Sequence, residues 1–227
     1  MFRKICLLPL LFAAGVATLP AQQDSLAAPG LAIGLGGGLG VTLIDAADVV
    51  DYINLTYQPS SKLQDFTTAS EFFGAGEVRV SESWGVKLEY SYLLKSYSVA
   101  QPYGPDYSFS YGIHMPVVMA QYLVAGRGYA FKIGGGAGYH FAKFTEDASV
   151  LVSDSYTSRG VGIKLEAEGN TEFDDHLFGL ISVDLRDDLM GEFRDPGNKR
   201  MMIPVLDKPA TMDFFSLGVK FGLIYYL

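Results

Sequence analysis

The sequence predicts an all-β fold, an eight-stranded antiparallel up-and-down transmembrane β-barrel with short turns at one end and long loops at the other. The clearest supporting observation is the alternation over residues 217–227, where large apolar side chains occupy every odd position. A period of two places these side chains on one face of a strand. Seven further segments repeat the alternation, with tight turns and long loops alternating between them. After residue 21, the sequence has no run of about 18 apolar residues, which excludes a membrane-spanning helix.

The N-terminus carries the features of a secretory signal peptide. Arg3 and Lys4 precede an apolar run over residues 5–16, which is too short to span a bilayer. Small residues follow the run, and we expect cleavage after Ala21. The predicted organisation is a signal peptide over 1–21, a periplasmic N-terminal segment over 22–29 and a β-barrel domain over 30–227.

Composition excludes several classes of protein. The formal net charge of −8 becomes −10 once Arg3 and Lys4 are removed, so nucleic acid is not an expected partner. The single cysteine, Cys6, leaves with the signal peptide. The glycine runs at 34–38 and 134–136 are not followed by a predicted helix, as a phosphate-binding loop requires. No cofactor and no metal are expected.

Eight strands follow in order along the chain, each identified by an alternating apolar face. Glycines occupy most even positions of the first strand, so its second face is nearly free of side chains. The fourth strand is expected to point outward with Phe109, Tyr111, Ile113, Met115, Val117 and Met119. It is also expected to contain a bulge or a register slip at Pro116, because a paired strand needs the amide hydrogen that proline lacks. The predicted strands span 31–43, 72–80, 84–92, 107–119, 129–141, 161–167, 177–185 and 217–227, and the long loops span 45–70, 95–106, 143–158 and 187–211.

A soluble eight-stranded calycin-like barrel is the main structural alternative, with its apolar face turned inward around a ligand. Several strands carry six or seven successive apolar residues on one face, too many for the lumen of a small barrel. The opposite face is too rich in glycine and alanine for a solvated exterior. Both observations favour the membrane barrel.

The face opposite the apolar stripe fills the lumen, since eight strands leave an interior just wide enough for side chains. Its charges nearly balance, which indicates ion pairs that close the lumen and argues against a large open channel. A symmetric turn at residues 81–83 would place Glu77 opposite Lys87, and Lys220 is expected to meet Asp184 on the neighbouring strand. The predicted interior charge cluster is Glu77, Arg79, Lys87, Glu89, Lys132, Lys164, Glu166, Glu168, Asp184, Arg186 and Lys220.

Aromatic residues fall near the predicted strand ends, where membrane barrels carry girdles at both interfaces. The predicted girdle residues are Phe72, Trp84, Tyr92, Tyr107, Tyr122, Tyr129, Tyr139, Phe214 and Tyr225.

One candidate for catalysis is a Ser–His pair, the chemistry of acyl transfer. Ser110 and His140 are both expected to point inward near the loop end of their hairpin. Lipid-modifying barrels that this chain resembles in size carry other, more compact motifs, so we expect no catalysis. His176 is expected to face Glu168, and His114 to bond an interior acceptor.

The last strand resembles the closing strand of a bacterial outer-membrane barrel, where alternating apolar residues that end in an aromatic form a signal for the insertion machinery. The final residue here is Leu227 in place of the usual phenylalanine. Phe221, Leu223, Tyr225 and Leu227 would form that signal here. In pattern and architecture the whole mature chain resembles the small outer-membrane barrels of the OmpA-transmembrane, OmpX and OmpW type, the porin-like barrel-domain proteins. The resemblance implies the bacterial outer membrane, with periplasmic turns and termini and with extracellular loops. It also implies outer-membrane lipid, the insertion machinery and extracellular ligands at the loops as partners.

These observations lead to one principal functional hypothesis, a structural or surface-interaction barrel without catalytic activity. A narrow channel for small hydrophobic or ionic solutes is the alternative, and a lipid-acting outer-membrane enzyme is the second alternative.

Overall fold

The computed structural model describes residues 33–99, 106–148 and 152–227, and eight antiparallel strands in these ranges close into a barrel. The predicted signal peptide over 1–21 and the segment over 22–29 lie outside the described residues. Each barrel strand pairs with its neighbours in sequence and the last pairs with the first, so the predicted fold class is confirmed. The barrel strands are β1 (Ile33–Asp45), β2 (Phe66–Arg79), β3 (Trp84–Val99), β4 (Tyr107–Gly126), β5 (Tyr129–Ala148), β6 (Val152–Glu172), β7 (Leu177–Met190) and β10 (Phe214–Tyr226).

Three short elements lie at one end of the barrel, which we call the loop end. Helix α1 (Ala47–Tyr57) follows β1, and the antiparallel pair β8 (Met202–Ile203) and β9 (Lys208–Pro209) lies between β7 and β10. The opposite end, which we call the turn end, connects strands through residues 80–83, 127–128 and 173–176. In the described part of the chain, no helix is long and apolar enough to cross a membrane.

The closing contact between β1 and β10 shows how the two faces of the wall differ. Leu217 and Phe221 point outward and are exposed, whereas Lys220 points inward and is fully buried. The inner face of β1 approaches β10 closely, because a Cβ atom on Gly38 would lie only 2.0 Å from the carbonyl oxygen of Phe221. Glycine is therefore required at this point of closure.

The orientation of β4 is opposite to the predicted one over the whole of residues 109–119. Every second residue from Phe109 to Met119 is buried and faces the interior, and the outward positions include small residues such as Ser110 and Gly112. The prediction was wrong because it assumed that the apolar face always meets lipid. Over residues 109–115 the barrel interior is itself apolar, so these side chains point into it. The alternation of the strand then places Val117 and Met119 on the same inner face.

Pro116 does not produce the expected bulge or register slip. The pairing of β4 with β5 keeps one register on both sides of the proline, from His114 opposite Phe141 to Val117 opposite Gly138. The β3 ladder also continues through Pro116, which lies opposite Tyr90. The proline removes its own donor without shifting the strand.

A cap closes the loop end from inside. We define the cap as α1 together with residues 191–212. Helix α1 lies within the predicted loop 45–70, and its buried side chains Val49, Val50 and Ile53 recur at the three- and four-residue spacing of one helix face. Residues 191–212 contribute five buried apolar side chains to the same core, namely Phe193, Met201, Ile203, Ala210 and Met212.

Candidate functional site

The lumen is crossed by a network of buried ion pairs, which we call the ion network. Lys87 on β3 binds Glu166 and Glu168 on β6 at 2.6 and 2.7 Å, and Lys220 on β10 binds Glu89 on β3 at 2.6 Å. In each case three strand-to-strand steps separate the partners around the wall, so the bonds span the interior. The members of the network are Glu71, Glu77, Lys87, Glu89, Lys132, Lys164, Glu166, Glu168, Asp184, Arg186 and Lys220, all at most 6% exposed.

Charges this deeply buried are tolerated only when they are paired and hydrogen-bonded. Lys220 is fully buried and lies within 3.6 Å of four carboxylates, those of Glu71, Glu89, Glu166 and Asp184. These carboxylates also contact other cations of the network, so each cation compensates several acids. The ion pairs therefore form one connected network across the lumen.

The structure places ten of the eleven predicted interior charges in the ion network and changes some of their pairings. Glu77 and Lys87 are direct cross-strand neighbours, as expected, but Glu77 pairs with Lys132 at 2.7 Å and Lys87 turns to β6. The expected approach of Lys220 to Asp184 is present at 3.3 Å.

Arg79 and Glu71 differ from the prediction. Arg79 is half-buried at the end of β2 and forms no ion pair with the described residues. Glu71 was missed, although it follows the alternation, since the next residue, Phe72, was assigned to the outside. Glu71 is fully buried, binds Arg186 at 2.5 Å and accepts a hydrogen bond from Thr42 at 2.7 Å.

An apolar core lies between the ion network and the cap. Ile53 of α1, Phe109 and Tyr111 of β4 and Phe144 of β5 are all fully buried in this core. Eight strands leave space only for side chains, and here aromatic and aliphatic groups occupy that space. The lumen is thus filled by charges in one half and by apolar side chains in the other.

Two tyrosines of α1 tie the cap to the barrel wall. Tyr52 and Tyr57 both donate hydrogen bonds to the carboxylate of Glu146 on β5, at 3.1 Å for Tyr52. Burial and the negative charge of Glu146 raise the pKa of Tyr52 well above its usual value. Burial and the hydrogen bond to Glu146 raise the pKa of Tyr57 as well. Both phenols are therefore protonated donors at neutral pH.

The two parts of the cap are joined by Asp48, an acid in the first turn of α1. Its carboxylate accepts hydrogen bonds from Lys208 at 2.7 Å and from the backbone N–H of Thr211 at 3.1 Å. An acid at this position also interacts favourably with the helix dipole. The cap is a folded surface, whereas the sequence predicted only a long loop over residues 45–70.

Seven of the nine predicted girdle residues lie on the outer face of the barrel, and two do not. Phe214 is buried in the core, and the neighbouring Phe215 is exposed in its place. The Tyr107 ring packs against the Tyr57 ring of the cap, with 4.7 Å between the ring centroids, so Tyr107 belongs to the inner face. Both errors arise at the loop end, where the interior is apolar. The remaining predicted girdle residues lie on the outer face, namely Phe72, Trp84, Tyr92, Tyr122, Tyr129, Tyr139 and Tyr225.

The possible Ser–His catalytic pair is not formed. His140 is buried in the interior and hydrogen-bonds Asp188, whereas Ser110 lies on the outer face of β4 opposite Thr145. The expectation that both point inward failed with the inverted face of β4.

The other two histidines also differ from the prediction. His114 points outward, and its Nδ1 atom forms a hydrogen bond with the Tyr90 hydroxyl at 2.6 Å. His114 therefore does not bond an interior acceptor, contrary to the prediction. His176 contacts the carbonyl oxygen of Tyr226 at 3.0 Å, and Glu168 belongs to the ion network.

Comparisons with known proteins agree with this geometry. Residues 8–189 match the family model described as the outer membrane protein beta-barrel domain, and no curated protein sequence matches the chain significantly. Among solved structures, Ail, the attachment invasion locus protein of Yersinia pestis, crystallised with the heparin analogue sucrose octasulfate, has a TM-score of 0.53 and 9% identity, covering 87% of this chain and 99% of Ail.

The outer membrane protein OprG of Pseudomonas aeruginosa has a TM-score of 0.50 and 12% identity, covering 87% of this chain and 96% of OprG. At such low identity these likenesses show the fold alone. The family model covers more than half of the sequence. The chain therefore belongs to the outer membrane protein beta-barrel family of the bacterial outer membrane.

Proposed function

We propose that this protein is a closed, non-catalytic outer-membrane barrel that has a structural or surface-interaction role through the cap. The observation that carries the proposal is the ion network, in which salt bridges between non-adjacent strands span the lumen. A conducting pore of this width would need a lining that leaves room for water or ions. The apolar core and the cap add a second obstruction above the network.

The proposed orientation follows from the lengths of the connections. Barrels of this class carry short periplasmic turns and longer extracellular loops, so the turn end and both termini would face the periplasm. The outward apolar face would contact outer-membrane lipid. Phe221, Leu223, Tyr225 and Leu227 all point outward near the turn end, where we propose that the insertion machinery recognises them.

The cap is the proposed interaction surface. It presents a fixed arrangement of side chains, because α1 is buried on one face and Asp48 joins it to residues 208–211. Ail, which shares the fold, was crystallised with a sulfated ligand. On the basis of this shared fold, we propose that the cap of this chain binds an extracellular ligand.

Planar-bilayer recording tests the closed lumen. We expect the refolded wild-type barrel to give no stable conductance steps, and a variant in which residues 47–57 are replaced by a flexible linker to remain closed, because the ion network lies below the cap. Stable steps of the order of nanosiemens from the wild type would overturn the proposal in favour of the narrow channel. Steps from the linker variant alone would show that the cap, and not the ion network, is the seal.

A further inference from the structure

A partly open cleft of about 950 Å³ lies on the outer wall, between β4–β6 and the first part of residues 191–212. His114, Phe141 and Arg159 form one row across the three strands, because Phe141 lies opposite His114 on one side and opposite Arg159 on the other. Lys143 lies one step further toward the loop end on the same face, and Arg194 lines the cleft from the other side.

The cleft lies where the apolar band of the barrel ends. On β5 the outward side chains are apolar from Tyr129 to Phe141, and the next outward residue is Lys143. On β6 the order is mirrored, since Arg159 is followed by the outward Val161. Cations directly beyond an apolar band lie at the depth of the lipid headgroups.

The cleft is lined by three cations, Lys143, Arg159 and Arg194, and two acids, on a chain whose formal net charge is −8. Lys143 and Arg159 are exposed, and neither forms an ion pair with any residue that the structure describes. The acid Glu192 is already held by Arg194 at 2.8 Å and Arg200 at 2.9 Å.

The other acid of the cleft is Asp195, whose carboxylate accepts the backbone N–H of Lys199 at 2.8 Å. Both acids of the cleft therefore have described partners other than Lys143 and Arg159. Lys143 and Arg159 remain available to an external anion.

We propose that this cleft binds the phosphate-bearing headgroup of a lipid in the outer leaflet. Lys143 and Arg159 would contact the phosphate oxygens, as charge-assisted hydrogen bonds from cations favour. Phe141 would contact the first part of the acyl region, because its ring is exposed at the edge of the apolar band. The proposal rests on the extracellular placement of the loop end and is independent of whether the lumen conducts.

The test is native mass spectrometry of the folded barrel in detergent, titrated with bisphosphorylated lipid A and with fully dephosphorylated lipid A. We expect the bisphosphorylated lipid to bind preferentially. The double variant Lys143→Gln/Arg159→Gln should weaken binding roughly thirtyfold, since each cation near a membrane surface contributes about 1 kcal/mol. The matched control Lys62→Gln/Arg127→Gln removes the same charge from exposed sites outside the cleft, and it should bind within about twofold of the wild type.

Three results would overturn the proposal. Equal binding of the dephosphorylated lipid by the wild type would show that phosphate is not recognised, whether or not the variants fold. Equal losses in the two double variants would show that only bulk charge matters. Displacement of the lipid by millimolar inorganic phosphate would show a free-anion site in place of a lipid site. Because conductance is not measured in this experiment, failure of the lipid-binding proposal can be distinguished from failure of the closed-barrel proposal.

Discussion

Removal of the Lys220 ammonium should destabilise the barrel more than any exposed substitution. In Lys220→Met the side chain keeps much of its volume, but four carboxylates within 3.6 Å lose their shared cation. The ion network then holds six acids and four cations in place of six and five. Breaking a buried pair by removal of one partner costs about 3–5 kcal/mol, so we expect a loss of that size in the free energy of unfolding.

The assay is urea unfolding of the barrel in lipid vesicles, followed by the fluorescence of Trp84, the single tryptophan. The exposed control Lys62→Met should lie within about 0.5 kcal/mol of the wild type. The double variant Glu89→Gln/Lys220→Met should recover part of the loss, because contacting partners couple by about 0.5–3 kcal/mol. If Lys220→Met unfolds within about 1 kcal/mol of the wild type, or if the two substitutions are additive, the network is not the coupled unit described above.

Three other predictions concern the cap and the closing strand. Ile53→Ala should destabilise the cap by about 2–5 kcal/mol, measured as faster amide exchange in α1, whereas exchange in the exposed-site control Thr56→Ala should change little. The pKa of Tyr52 in the folded cap is raised above its unfolded value of 10.0, so the stabilising contribution of Tyr52 is complete below pH 10.0 and is lost as the pH rises through the folded pKa. Subtilisin should therefore cleave the cap faster above about pH 10. The pH dependence should be weaker in Tyr52→Phe, and a wild-type cleavage rate that does not change with pH would contradict this prediction. Leu227→Phe should increase the folded fraction in the membrane, measured by heat-modifiable gel mobility, and an unchanged yield would argue against the insertion signal.

The barrel wall could be predicted from sequence because lipid on one side gives each strand a strong period-two pattern. The clearest example is β10, where every outward residue from 217 to 225 is large and apolar and Lys220 is the only inward charge. The network pairings could not be predicted, since they depend on which side chains meet across the lumen. Glu77 lies opposite Lys87 on the neighbouring strand, as predicted, but the two side chains bind other partners.

The loop end shows why the rest of the prediction failed. Both faces of β4 contain apolar residues around Met115 and Val118, so alternation alone does not say which face meets lipid. The buried face of α1 carried a usable signal, since Val49, Val50 and Ile53 have helical spacing. That signal was overlooked because the polar residues around it are typical of a solvated loop.

The central claim, a lumen sealed by the ion network, is tested most directly by the reactivity of a thiol placed inside the barrel. Ser216 is buried on the inner face next to Arg186, and Ser216→Cys, in a Cys6→Ser background, introduces one interior thiol of similar size. The account predicts that a charged methanethiosulfonate reagent fails to label this thiol in the native barrel and labels it after unfolding. Labelling of the native barrel as fast as an exposed Ser153→Cys control would contradict the sealed lumen.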